Sequence, residues 1–267
     1  MKDFWVKNRG LIGFIAVIFI VAVVGGLAGY SIEEIIEPSL TDYEQAKNST
    51  VILLGGHSLA SGVIISPDGY VLSCAHGGIP EAVYSLEYYD DMDMPLIVKR
   101  DVITIYHDRG LDLSIHKIVD WENPDRVWAY SPLSADIVEI GEDVFSIGCP
   151  LGGAYYISWG KIISEKFSWD IGEAYWLHSC SANQGNSGGP LFNMKGEIIG
   201  INVYLYGALP TMAGYVPLID GCLAIQVSDF IPAIEGIIAT HRLLQLQLDE
   251  HAIADKRIKN LNRSRPD

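Results

Sequence analysis

The run Gly185-Asn186-Ser187-Gly188-Gly189-Pro190 decides how the rest of the chain is read. Three glycines surround one serine. Glycine tolerates positive φ and lets another backbone or a ligand come close. A serine that attacks a carbonyl needs both properties. Its hydroxyl must project from a tight turn, and backbone N–H groups must point at the oxyanion that forms. Gly185, two residues before the serine, and Ser187 itself can supply that pair of donors.

A serine alone is a poor nucleophile. It needs a base, and the base needs an orienting carboxylate. His76 ends the apolar, strand-like run Tyr70-Val71-Leu72-Ser73-Cys74-Ala75-His76. Asp112 opens a buried-strand pattern, Leu111-Asp112-Leu113-Ser114-Ile115-His116-Lys117-Ile118. Taken singly, each has a plainer reading: a loop serine, a satisfied core histidine, a strand-capping aspartate. Taken together and in the order His, Asp, Ser, they read as His76, Asp112 and Ser187 of one catalytic triad. That order is found in chymotrypsin-type proteases and in neither subtilisins nor α/β-hydrolases.

With these residues in place, the chain resembles the HtrA/Deg branch of the trypsin-like serine proteases. The resemblance spans roughly residues 50–230. It rests on Ser61-Gly62-Val63-Ile64-Ile65-Ser66-Pro67-Asp68-Gly69-Tyr70-Val71-Leu72, on Ala75-His76 and on Leu111-Asp112-Leu113. It continues in Ser146-Ile147-Gly148-Cys149-Pro150-Leu151-Gly152, in Gly185 to Pro190, and in Gly196-Glu197-Ile198-Ile199-Gly200-Ile201-Asn202. It implies an all-β fold of two six-stranded antiparallel barrels, an endopeptidase activity with an acyl-enzyme intermediate, and no metal or cofactor. It also implies a first substrate pocket between Ser181, six residues before the serine, and Val203, Tyr204 and Leu205. Ser181 carries no charge, and no Asp or Glu lies between Glu173 and Ser187. A cationic side chain would find no partner there, so small or medium aliphatic residues are expected before the cut. Relatives often carry a PDZ domain after the protease domain. The few dozen residues after the second barrel are too few for one, which departs from that pattern.

Length suits a single double-barrel domain. Net charge is −15 over 267 residues, unevenly placed. Residues 31–250 hold 10 basic and 30 acidic side chains, a net −20. Nucleic-acid binding depends on clustered Lys and Arg, so it is not expected. The last stretch, from His251, is basic through Lys256, Arg257, Lys259, Arg263 and Arg265. The cysteines, Cys74, Cys149, Cys180 and Cys222, form no CxxC pair, so a zinc site is not expected. Each reads as a small buried hydrophobe. The resemblance leaves a Cys180–Cys222 bridge as the alternative.

Residues 10–32 hold no charged side chain and are rich in Ile, Val, Phe and Ala. At about 1.5 Å per residue such a run crosses a bilayer core of roughly 30 Å. The preferred reading is a signal anchor at 10–32 behind a cytoplasmic N-terminus at 1–9. A cleavable signal peptide is the alternative, although signal h-regions are usually about 7–15 residues. Lys2, Lys7 and Arg9 precede the run and Glu33, Glu34 and Glu37 follow it. The positive-inside rule then places the remaining domain outside the cytoplasm.

Beyond the anchor the sequence predicts a polar tether over 33–48, a protease domain over 49–230, and a helix with a basic tail over 231–267. Asn48-Ser49-Thr50 is a glycosylation sequon. Pro67-Asp68-Gly69 predicts a hairpin turn that delivers His76 to a strand end. Asp90, Asp91 and Asp93 lack calcium-loop spacing and read as a solvated hairpin tip. Asp120 to Pro132 reads as the inter-barrel linker, and Gly207 to Gly214 as a loop. Ser228 and Pro232 mark a helix start, with apolar residues at helical spacing toward about Asn260. That helix could support a homo-oligomer. A non-catalytic peptide-binding or assembly module on the same barrels is the rival reading.

Overall fold

A computed structural model describes residues 40–55, 58–87, 96–136, 138–150, 155–168, 174–181, 183–205, 208–211, 214–217 and 221–263. The chain forms two compact units, Met1–Glu37 and Pro38–Asp267. The expected anchor at 10–32 falls in the first unit and lies outside the described residues. No helix among the described residues is long and apolar enough to cross a membrane.

The second unit opens with α1 (Leu40–Ser49), where the sequence predicts a tether. Two contacts explain why a helix forms instead. Ala46 is fully buried in the main core, and Gln45 Nε2 donates to the Tyr130 carbonyl at 2.7 Å. Ser49 Oγ and Thr50 Oγ1 both donate back to the Ala46 carbonyl at 2.9 Å, satisfying an acceptor that the helix end leaves open.

Six strands follow: β1 (Thr50–Gly55), β2 (Ser58–Ile64), β3 (Tyr70–Cys74), β4 (Ala82–Glu87), β5 (Leu96–Asp108) and β6 (Leu113–Val119). They close in the order β1-β2-β3-β6-β5-β4. The second barrel uses β7 (Asp143–Gly148), β8 (Tyr156–Ser168), β9 (Ala174–His178), β10 (Pro190–Asn193), β11 (Ile198–Leu205) and β14 (Cys222–Gln226). It closes in the order β10-β11-β14-β9-β8-β7. Between β11 and β14, the stretch read as a loop makes a small hairpin of β12 (Ala208–Thr211) and β13 (Gly214–Pro217). Closure leaves neither barrel with an unpaired edge. The two antiparallel barrels expected from the sequence are therefore present, and residues 120–132 connect them as expected.

One apolar cluster runs through both barrels. Val63, Tyr70, Leu72, Leu113 and Ile115 from the first meet Phe145, Ile147, Phe192, Ile198 and Ile201 from the second. Phe145 and Phe192 stack with ring centroids 5.0 Å apart. The predicted Pro67-Asp68-Gly69 turn forms, with the Gly69 N–H on the Ser66 carbonyl at 3.0 Å and Gly69 at φ +84°. All four cysteines are buried thiols, so the bridge alternative is not realised. Cys222 sits opposite His178 in the β9–β14 register, two residues before Cys180.

A short 3-10 turn, Val227–Asp229, leads into α2 (Ile231–Arg263). Ile234 and Ile238 bury its start against the main core. One turn on, the helix grips the β2–β3 hairpin of the first barrel. Tyr70 Oη and His241 Nδ1 are 2.7 Å apart, and the Arg242 guanidinium donates to both Asp68 oxygens at 3.0 and 2.6 Å. Lys117 Nζ also bonds Asp68, on its backbone carbonyl. Beyond Arg242 the helix carries exposed Leu243, Leu244, Leu246, Leu248 and Ile253.

Burial opposes ionisation of Asp68, but the hydrogen bonds from Arg242 and Ser66 together with the charges of Lys117 and Arg242 outweigh it, and its pKa falls to about 2 from 3.8. A depressed folded-state pKa contributes stability that is present above the unfolded value and lost as pH falls through the folded one. The pair is two-fifths or more exposed, which caps its worth below about 1 kcal/mol. Arg242→Ala is expected to lower stability near neutral pH by less than about 1 kcal/mol. It should also flatten the acid loss between about pH 4 and 2. Urea unfolding across that range reads both effects, and an unchanged acid slope would contradict the pairing.

Candidate active site

The three sequence-predicted residues lie at strand ends rather than on barrel faces. β3 and β6 run antiparallel, with Ser73 opposite Ser114 and Cys74 opposite Leu113. One step further along each strand, residue 112 must meet residues 75 and 76. The Asp112 carboxylate does so with both oxygens. Oδ1 accepts the Ala75 N–H at 3.0 Å and the His76 N–H at 2.7 Å, and Oδ2 accepts His76 Nδ1–H at 2.7 Å. The Asp112 carbonyl takes the Ala75 N–H as well, at 3.1 Å.

Asp112 is 4% exposed and sits at φ +49°, where it is the one non-glycine among the described residues with positive φ. Aspartate tolerates this region better than most residues. Here the carboxylate bonds hold it there, a strained backbone fixed by its surroundings. Burial alone would push the His76 imidazole toward its neutral form. The hydrogen bond and charge of Asp112, with a further contribution from Cys74, outweigh burial and raise its pKa to about 10. The Cys74 thiol lies 3.8 Å from His76 Nε2. The outer part of the His76 side chain remains open to solvent, at 39% exposure.

Ser187 is carried by two consecutive turns. The Asn186 N–H donates to the Asn183 carbonyl at 3.0 Å, and the Gly189 N–H to the Asn186 carbonyl at 2.9 Å. Gly185 and Gly188 occupy the third position of these turns, at φ +100° and +81°. Third-position φ above zero is the type II requirement that glycine meets without strain. Among the described residues, the N–H groups of Gly185 and Ser187 take no hydrogen-bond partner.

The turn is pressed against the histidine strand. A Cβ on Gly188 would lie 2.1 Å from Ser73 Oγ, 2.3 Å from the Ser61 carbonyl oxygen and 3.0 Å from the Cys74 nitrogen. No side chain fits there, which explains the second glycine of the motif. The Ser187 carbonyl accepts the Ser61 N–H at 2.8 Å, and the Gly188 N–H donates to the Asn202 carbonyl at 2.7 Å. The serine turn and the histidine strand are thus brought together across the seam between the barrels.

The residues read as a substrate pocket are placed less tightly. Ser181 is exposed, and its N–H donates to Ser158 Oγ at 2.6 Å. Val203 is buried with Cys74, Tyr175, Leu223 and Ile225. Tyr204 and Leu205 pair with Leu223 and Cys222 of β14.

Two supports escaped the sequence reading. One is Ser61, whose Oγ donates to the Gly185 carbonyl at 2.7 Å. The other is His178, fully buried, whose Nε2 is 2.9 Å from Asn202 Oδ1. Asn202 Nδ2 donates to Ser146 Oγ at 2.7 Å, and the Asn202 backbone brackets Gly188 and Gly189. Burial lowers the His178 pKa to about 4, against the opposing hydrogen bond from Asn202. A histidine at a strand end, nine residues before the serine, was its only signal.

Comparison with known proteins agrees with this geometry. The family model described as a trypsin-like peptidase domain matches residues 60–201. A probable periplasmic serine endoprotease DegP-like from Pseudomonas putida (strain GB-1) is 32% identical over 179 residues, covering 64% of this chain and 34% of the relative. Putative protease Do-like 14 from Arabidopsis thaliana is 31% identical over 172 residues, covering 61% of this chain and 39% of the relative. The chain therefore spans little more than a third of the length of these curated relatives. The crystal structure of the serine endoprotease from Yersinia pestis superposes with a TM-score of 0.55 at 25% identity, covering 74% of this chain and 66% of that one. With two closed barrels, a histidine–aspartate pair at their seam and a family match over more than half its length, the chain belongs to the trypsin-like peptidase family.

Proposed function

We propose that this chain is a serine endopeptidase in which Ser187 is the nucleophile, His76 the general base and Asp112 the group that orients it. The observation that carries this reading is the 2.7 Å bond from His76 Nδ1 to Asp112 beside the glycine-bounded serine turn. With Nδ1–H held by Asp112, the lone pair of the neutral imidazole is on Nε2, the nitrogen that must take the Ser187 proton. Ser187 Oγ then attacks the scissile carbonyl. The N–H groups of Gly185 and Ser187 receive the oxyanion, and His76 returns the proton to the leaving amine. Water, activated by the same imidazole, releases the acyl group from Ser187.

The raised pKa of His76 holds the imidazole toward its charged form, which cannot accept the serine proton. Hydrolysis should therefore climb with pH on the limb set by His76. Asp112→Asn should move that limb to lower pH while cutting the maximal rate by about 10,000-fold, the cost seen when such a carboxylate is lost.

The finer reading keeps Ser181, Val203, Tyr204 and Leu205 around the first substrate pocket, with an aliphatic residue before the cut. It also keeps residues 10–32 as an anchor, with the protease domain outside the cytoplasm acting on proteins there. The word periplasmic in the names of the bacterial relatives supports that placement.

Three outcomes are expected. A fluorophosphonate probe labels the full-length chain, and Ser187→Ala removes both labelling and peptide cleavage; equal hydrolysis by the alanine variant would sink the triad. In a positional-scanning peptide library, Val, Ala, Ile or Leu dominates the position before the cut, whereas a preference for Arg or Lys contradicts the uncharged pocket. Protease added to intact spheroplasts digests the domain and leaves the anchor behind. Protection until the membrane is permeabilised would mean the opposite orientation.

A further inference from the structure

We propose that Ser61 is a positioning residue for the oxyanion turn: from the first barrel, its hydroxyl fixes the carbonyl of Gly185 and so the direction of the Gly185 N–H. The inference rests on the endopeptidase reading above.

Ser61 lies on β2, 124 residues from Gly185 in sequence, and is completely buried. Its Oγ donates to the Gly185 carbonyl at 2.7 Å and accepts the Cys149 N–H at 3.0 Å. A hydroxyl has one proton to give. The Cys149 N–H occupies a lone pair, so the proton is directed to Gly185. The Ser61 backbone is equally committed. Its N–H donates to the Ser187 carbonyl at 2.8 Å, and its carbonyl accepts Ser73 Oγ–H at 2.7 Å. Ser73 stands three residues before His76 on β3. One residue thus ties the nucleophile turn to the strand of the base.

The peptide units of the turn show what this hydroxyl controls. In the unit joining Gly185 to Asn186, the carbonyl is held by Ser61 and the N–H by the Asn183 carbonyl. In the unit joining Ser187 to Gly188, the carbonyl is held by the Ser61 N–H and the N–H by the Asn202 carbonyl. Between them, the Asn186 carbonyl is held by the Gly189 N–H. Among the described residues, this leaves the N–H groups of Gly185 and Ser187 as the open donors. With the plane after Gly185 fixed, its N–H is aimed by ψ and φ of Gly185, φ being the torsion that turns the N–H itself. That torsion, at +100°, is one that glycine leaves inexpensive to change. Removing the hydroxyl strands the Gly185 carbonyl as a buried acceptor without its donor. Buried carbonyls are rarely left so. The turn rotates to find a new donor and carries the Gly185 N–H with it.

Losing one oxyanion donor costs about 100- to 1,000-fold in kcat. Misaiming one should cost a sizeable part of that, with KM nearly unchanged, because the interaction forms fully only in the transition state. A serine that merely filled space would instead lower stability and leave each folded site as fast as before.

The test uses the full-length chain in detergent and three variants: Ser61→Ala, Ser61→Cys and Ser187→Ala. Sites are counted by end-point fluorophosphonate labelling, so that misfolded molecules drop out. Per labelled site, Ser61→Ala is expected to lose at least about 10-fold in kcat, with KM within about 3-fold. A peptidyl aldehyde, whose hemiacetal oxygen occupies the oxyanion position, should lose affinity by a similar factor. Ser61→Cys, which keeps the shape and a weak S–H donor, should fall between the alanine variant and wild type. It carries the test alone if the alanine variant does not fold. Unchanged kcat and aldehyde affinity per labelled site, in whichever variant folds, overturns the proposal. Failure of wild type to label, or turnover by Ser187→Ala, overturns the endopeptidase reading instead.

Discussion

The antiparallel register that sets Cys74 against Leu113 is the constraint on which the site depends. Closing a sheet into a barrel fixes each strand against two neighbours, so no strand can slip without turning its core face outward. The strand carrying His76 and the strand following Asp112 are such neighbours. Their pairing brings His76 and Asp112 within hydrogen-bond reach before any interaction between the two is counted. The bond at 2.7 Å is then a consequence of register as much as a cause of order. The same logic governs the serine. Its turn leads into β10, which is held by β11 on one side and β7 on the other.

The barrels and the candidate site residues are legible in the sequence because both write strong local signals. Alternating apolar strands split by Pro-Asp-Gly, and glycines at the positions that need φ above zero, cannot be read many ways. Helix α1 left little signal. Its apolar contact with the core comes down to Ala46, and apart from Leu40 and Tyr43 the rest of Leu40–Ser49 is polar, so the pattern resembles a tether. Without the barrel surface beside it, so short a polar helix would not hold together. The β12–β13 hairpin is hidden for a related reason: its glycines and prolines mark turns, and nothing local says that the turns are paired.

Ser61 shows a different limit. Nothing in its motif marks a task for it, because a serine in an apolar strand carries no chemical signature of its own. Its role depends on the Gly185 carbonyl, 124 residues away, arriving within 2.7 Å. Long-range pairing of this kind is invisible to periodicity. The substrate pocket is a milder case. Counting residues from the serine places Ser181, but the exposure of Ser181 and the burial of Val203 depend on how the segments pack.

Each barrel also keeps a neutral histidine behind one half of the site, and the hydrogen bonds fix its tautomer. Ser114 Oγ gives its proton to the Cys74 carbonyl at 2.9 Å. Its lone pair must therefore accept from His116 Nε2–H at 2.9 Å. His116 Nδ1 is left as the acceptor for Thr104 Oγ1–H at 3.0 Å. In the second barrel, Asn202 gives its amide protons to Ser146 Oγ and the Pro190 carbonyl. Its Oδ1 must then accept from His178 Nε2–H. Both imidazoles carry their proton on Nε2, and burial lowers both pKa values to about 4. The first network braces the Cys74 carbonyl, two residues before His76. The second braces Asn202, which holds the glycines after Ser187. Along the sequence these serines, histidines and the asparagine look like interruptions of the apolar pattern. In the folded chain they are the polar frame that keeps the two strand ends facing each other.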